Sequence, residues 1–174
     1  MAIFQTAFDN IIKLPLQPEV VPHPIYEHQY GLSKRFLECL GLGNKYPLSS
    51  LNQELAEDIY FNNFWLKEGY HNLLSQNLAN KMLKCCGQFT SNLANLFLQR
   101  SINIYLKHNT DLHKILEINS LNGLFLVCEN SKLDERCFKL ANQLFKLEKD
   151  MELLNVFLEE EKSYLVQIKS SKQT

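Results

Sequence analysis

Leu133 to Ile168 reads LDERCFKLANQLFKLEKDMELLNVFLEEEKSYLVQI, and this stretch decides the fold class. Its apolar residues Cys137, Leu140, Leu144, Leu147, Met151, Leu154, Leu158 and Leu165 recur at spacings of three, four or seven. Those spacings align along one side of an α-helix, whereas a half-buried strand would alternate at every second residue. One long helix or a helical hairpin is predicted. The stripe Leu144, Leu147, Met151, Leu154 and Leu158 needs a cover, either from the rest of the chain or from a second copy in a homodimer through the C-terminal helices.

The same period returns upstream. Ile3, Phe4, Ala7, Phe8, Ile11 and Ile12 make an amphipathic first helix between Ala2 and Lys13. Four of the chain's 5 prolines (Pro15, Pro18, Pro22, Pro24) then interrupt it, because proline lacks an N–H donor and disfavours helix in the residue before it. Ser33 can cap a short second helix closed by Gly41 and Gly43. Ser50 with Gln53 reads as a capping box opening a third helix that ends near Gly69. A fourth is expected from Ser75 to Gly87, and a fifth from Thr90 or Ser91 with Leu93, Ala94, Phe97, Leu98, Ser101 and Ile104 inward. Asp111 opens a nearly apolar sixth segment through Cys128. The expected architecture is all-α, with a helical domain at 1–107 and a C-terminal helical extension at 108–174 packed on it.

Composition narrows the function classes. The 174 residues carry 18 Lys plus Arg against 19 Asp plus Glu, a formal net charge of -1. Binding to nucleic acid through phosphate contacts, or to an anionic membrane surface, would call for a basic excess. With 45% hydrophobic residues the chain can bury a core, and no run reaches the ~18 apolar residues that span a bilayer. The N-terminal MAIFQTAFDNIIK lacks the charged and cleavable parts of a secretion signal. The 5 Cys (Cys39, Cys85, Cys86, Cys128, Cys137) include no CxxC pair, which fits reduced, buried thiols.

Few motifs carry chemistry. There is no phosphate-binding glycine loop, GxSxG or HExxH. No two of the 5 His fall at i, i+4, so neither a metal nor another cofactor is expected. Glu19 and Glu27, in the proline-rich stretch, are the candidate general acids, since a carboxyl held beside aromatic rings has its pKa raised. Trp65, with Phe61, Phe64 and Tyr70, could stack on a sugar ring or pack a core. Cys85 and Cys86 are adjacent on a helix, with no visible base to activate a nucleophile.

Tyr30 to Asn103 resembles the N-acetylmuramidases of the lysozyme superfamily associated with phage lysis and bacterial secretion. Tyr30-Gly31-Leu32-Ser33 is similar to that family's Tyr-Gly-Ile-Ser element, and Ile59-Tyr60 with Phe64-Trp65 to its tyrosine and tryptophan helix. Leu78-Ala79-Asn80-Lys81, Ala94 and Leu98-Gln99-Arg100 continue in register. The resemblance implies a lysozyme-like fold, a peptidoglycan glycan as ligand, and a cleft formed by Tyr30, Ser33, Tyr60, Trp65, Gln88 and Gln99. It fails at the family's acidic positions: Leu14-Pro15-Leu16 stands where Glu-Gly-Gly belongs, and Lys84 and Gln88 where Asp and Asn belong. Loss of the acid removes a rate factor of roughly 10² to 10⁴. The resemblance therefore implies a catalytically degenerate muramidase-like protein acting by protein–protein interaction. The alternatives are an active peptidoglycan muramidase using Glu19 or Glu27, and a glycan-binding module. The C-terminal FLEEEKSYLVQIKSSKQT resembles the signals of type IV secretion substrates, which implies a bacterial cytoplasmic protein released without a signal peptide, as an effector.

Overall fold

The computed structural model describes residues 1–13, 28–116 and 132–171. The proline-rich stretch, with Glu19 and Glu27, and most of the sixth segment, with Cys128, lie outside them. Within the described residues the chain is all-α apart from one small hairpin. Helix α1 spans Phe4–Lys13 and turns Ala7, Phe8 and Ile11 inward. Strands β1 (His28–Gln29) and β2 (Leu32–Ser33) pair antiparallel, His28 opposite Ser33. Then come α2 (Lys34–Cys39), α3 (Gln53–Tyr60), α4 (Gln76–Gln88) and α5 (Ser91–His108). The last three are α6 (Leu112–Ile115), α7 (Glu135–Lys146) and α8 (Asp150–Ser171).

Side-chain caps fix the starts of α3, α4, α5 and α7, because the first turn has N–H groups without partners in the helix. Ser75 accepts from Leu78 N at 3.2 Å, Thr90 from Leu93 N at 3.2 Å, and Asp134 from Cys137 N at 2.8 Å. The third helix departs from expectation. Ser50 ends a 3-10 turn, Leu48–Ser50, and donates its hydroxyl to the Pro47 carbonyl at 2.7 Å. Asn52 caps α3 instead, accepting from Leu55 N at 2.8 Å. Beyond Tyr60 the helix widens into a π turn, Phe61–Leu66, and the left-handed Gly69 (φ +77°) stops it.

Helix α4 occupies the centre. Leu78, Ala79, Met82, Leu83, Cys85 and Cys86 are all buried, and α1, α5 and α8 pack around them. Helix α8 runs alongside α4: Ser75 Oγ donates to Asp150 Oδ2 at 2.7 Å, and further along Lys81 forms a buried ion pair with Glu161. Against α5 it runs antiparallel, with Tyr105 donating to Glu152 Oε2 at 2.6 Å and Phe97 meeting Phe157 and Tyr164 edge-on. Asn142 of α7 accepts from Leu74 N and donates to the Asn72 carbonyl, both at 2.8 Å. The buried residues of the first five helices and of the C-terminal pair form one core.

The C-terminal stretch is a hairpin rather than one long helix. Lys149 N–H reaches back to the Leu144 carbonyl at 2.8 Å and Glu148 N–H to the Phe145 carbonyl at 2.9 Å, the Schellman arrangement that ends a helix. Glu148 adopts φ +58° to make it. The break resets the helical phase, so the inward face of α8 is Leu153, Phe157, Glu161 and Tyr164, not the expected continuation through Met151. Leu144 and Leu147 are covered within the chain, while Met151 is 50% exposed.

A side chain with a Cβ pays roughly 1–2 kcal/mol for the left-handed region that glycine enters freely. Glu148→Gly should therefore raise the unfolding free energy by about 1 kcal/mol, read as a higher urea midpoint at unchanged slope. A lower midpoint would contradict the left-handed turn.

Candidate functional site

Of the six expected cleft residues, Tyr60 reaches the hairpin that carries Tyr30 and Ser33, and three, Tyr60, Trp65 and Gln99, are buried. Tyr30 and Gly31 form the two-residue hairpin tip, both with positive φ (52° and 76°), as a type I′ turn requires. Against this tip lies the end of the Tyr60 ring. A Cβ on Gly31 would stand 2.7 Å from Tyr60 Oη, and one on Gly87 only 2.0 Å from it and 3.0 Å from the Gly31 carbonyl oxygen. Two glycines thus make room for one hydroxyl. This is why α4 tolerates Gly87 inside its last turn, where the sequence suggested a helix end.

Tyr60 packs on Phe8 (centroids 5.7 Å) and Phe64 (5.5 Å), and Trp65 sits edge-on to Phe4 at 5.6 Å. Tyr60 and Trp65 are 0% and 2% exposed, so both rings pack in the core, the second of the two readings open to Trp65. Phe64 and Trp65 are the two buried positions of the π turn. Gln99 is also buried and donates to the Lys132 carbonyl at 3.2 Å. Tyr30, Ser33 and Gln88 remain partly exposed. Glu19 and Glu27 lie outside the described residues. Burial, and then the neighbouring Cys86, push the Tyr60 phenol far above its usual range, so it is no acid or base at neutral pH. Neither its hydroxyl nor Gln88 Oε1 has a hydrogen-bond partner among the described residues.

A second polar group runs through the interior, unforeseen in the sequence. Tyr70 Oη donates to Asn95 Oδ1 at 2.8 Å, and Asn95 Nδ2 donates to Glu68 Oε2 at 2.8 Å. Cys86 Sγ lies 3.1 Å from the same hydroxyl, so with the phenol proton committed to Asn95 the thiol is the donor. The available signal was Asn95 itself, a polar residue beside Ala94 and Leu98 on the apolar side of α5. Burial raises both the Cys85 and the Cys86 thiol, so neither is a thiolate nucleophile.

Among the described residues an open surface lies between α5 and α8, apart from a separate polar hollow of about 510 Å³ beside Asn72 and Phe138. Arg100, Asn103, Ile104, Lys107 and Glu160 line a groove of about 350 Å³. It adjoins a second of about 460 Å³, where Ile104 and Glu160 are joined by Asn155, Val156, Leu158, Glu159 and Lys162. The floor is apolar and the rims carry both signs of charge. No family model matches the chain, and no curated protein or solved structure matches it either.

Two outcomes test this geometry. Gly87→Ala gains up to about 1 kcal/mol in helix propensity but loses more to the clash, for a net loss of about 2 kcal/mol. Tyr60→Phe alone should leave stability within about 1 kcal/mol of wild type, because an unpaired buried hydroxyl contributes nothing, and should recover part of the Gly87→Ala loss in the double variant. Thermal melts of the three variants decide this; a stabilised Gly87→Ala would refute the packing. Alkylation at pH 8 should label the exposed Cys39 in the native protein and label Cys85, Cys86 and Cys137 only in denaturant. Rapid native labelling of Cys86 would contradict its buried position.

Proposed function

We propose that the chain is a non-catalytic interaction protein, a helical scaffold that binds another protein through its surface. The carrying observation is the contrast between the two candidate surfaces. The rings that would hold a sugar, Tyr60 and Trp65, are core residues, while the α5–α8 surface combines an apolar floor with charged rims, the composition of a helix-binding groove. Glycosidic cleavage needs a carboxylic acid to protonate the leaving oxygen and a second carboxylate across the sugar. The chain departs from the muramidase pattern at the positions that would supply them. On this reading the muramidase resemblance concerns the scaffold and not the chemistry, and a secreted bacterial effector is the role that suits such a scaffold. Among the described residues no helix is long and apolar enough to cross a membrane.

Incubation with purified peptidoglycan tests the proposal. The expected result is no release of reducing ends, and no heat of binding to chitooligosaccharides or muropeptides in calorimetry. Cleavage that disappears in Glu19→Gln or Glu27→Gln would overturn it in favour of a muramidase, and binding without cleavage would overturn it in favour of a glycan-binding module.

A further inference from the structure

We propose that the groove between α5 and α8 is the contact surface of a two-fold homodimer, each copy seating the edge of its α8 in the groove of the other. The inference rests on the reading of the chain as an interaction protein and names the partner as a second copy. Charge complementarity selects that occupant. The α5 wall carries Arg100 and Lys107, both exposed, and neither is within ion-pair distance of a carboxylate among the described residues. The α8 wall carries Glu159 and Glu160 with Lys162, a net acidic wall. Glu160 has no ion-pair partner among the described residues, and Glu159 has only the exposed Lys162 at 2.7 Å.

A strongly acidic partner would meet repulsion on the α8 wall, and a strongly basic one on the α5 wall. The same chain, turned by a two-fold rotation, sets its acidic wall against the basic wall and its basic wall against the acidic one. Each favourable contact then occurs twice, as an isologous interface requires. Ile104 meets Val156 and Leu158 beneath the charged rims and removes their half-exposed surface from water. Val166, 65% exposed, lies seven residues beyond Glu159 and so on the same side of α8, which extends the apolar contact toward the helix end. The formal net charge of -1 leaves little overall repulsion between two copies. This face shares only Leu158 with the Leu144 to Leu158 stripe read in the sequence, of which Leu144, Leu147 and Leu154 pack on the chain's own core.

Sedimentation and light scattering of the full chain test the proposal, with paired charge reversals. Wild type should show a concentration-dependent dimer. Arg100→Glu with Lys107→Glu makes both walls acidic, and Glu159→Lys with Glu160→Lys makes both basic, so each variant alone should dimerise at least about tenfold more weakly. Arg100, Lys107 and Glu159 are exposed and Glu160 is half-buried at the groove rim, so circular dichroism melts should stay close to the wild-type temperature. Mixed in equal amounts, the two variants should recover a dimer near wild-type affinity, because every wall then faces its opposite. A wild-type chain that stays monomeric at the highest attainable concentration overturns the homodimer, as does a dimer indifferent to both reversals or a mixture that remains monomeric. None of these results touches the non-catalytic reading, which the peptidoglycan assay decides separately.

Discussion

A lysine on the central helix has to be neutralised before the C-terminal helix can close over it. Lys81 stands on α4, whose neighbours on three sides are α1, α5 and α8, and its side chain is 14% exposed. Glu161 of α8 meets it there, itself 6% exposed, with the ammonium also lying over the Phe157 ring at 5.7 Å. Taking both charges out of water costs several kcal/mol each, which their attraction only roughly offsets. The second carboxylate oxygen, Glu161 Oε1, has no partner among the described residues, so the pair is not arranged for maximal stability. Its consequence is register. An apolar face such as Leu153 and Phe157 can slide by a turn along α4 at modest cost, whereas a slide that parts Lys81 from Glu161 strands two buried charges, a loss of about 3–5 kcal/mol. Ser75 with Asp150 marks the same register at the start of α8.

That register sets the outer surface as well. With Glu161 turned inward, Glu159 and Glu160 fall at the edge facing α5, and Val156 and Leu158 line the groove beside Ile104. Tyr105 and Glu152 hold one end of the α5–α8 contact, and Phe97 with Phe157 and Tyr164 fill the middle. One buried pair thus fixes which residues are left to form the amphipathic surface.

Much of the fold was legible because local rules coincide with it. Ser75, Thr90 and the apolar period of α4 and α5 mark helices that tertiary packing then keeps. Where packing competes with local signals, the sequence misleads. Ser50 with Gln53 satisfies a capping pattern, yet Pro47 draws Ser50 into a 3-10 turn and Asn52 takes the cap. Glu148 carries no stop signal, since glycine is the residue that usually announces a left-handed end, so the sequence left one long helix and a helical hairpin both open. The π turn after Tyr60 is invisible to a 3.6-residue period, although core packing of Trp65 was one of the two readings open to it. Ile104 fits the inward stripe of α5 by spacing but lies at its edge, because the polar Asn95 and Gln99 take inward places instead. The α5–α8 surface follows from how two helices far apart in sequence are set against each other, which no single segment encodes.

The two fully buried tyrosines of the interior show how differently polar groups can serve the same fold. Tyr70 is held by bonds: its hydroxyl joins Asn95 and Cys86, and through Asn95 reaches Glu68, so the turn before α4 is tied to both α4 and α5. Tyr60 is held by shape, its hydroxyl enclosed by Gly31 and Gly87 without a bond among the described residues. The hairpin that covers it is tied by Gln29 Nε2 to the Leu51 carbonyl at 2.7 Å, and its tip keeps Tyr30 at φ +52°, a conformation costing roughly 1–2 kcal/mol outside glycine. Shape holds only while the fit is close, because dispersion falls off within an ångström of separation. The hairpin tip is therefore a strained joint held by fit, whereas the α5–α8 groove is an open amphipathic surface.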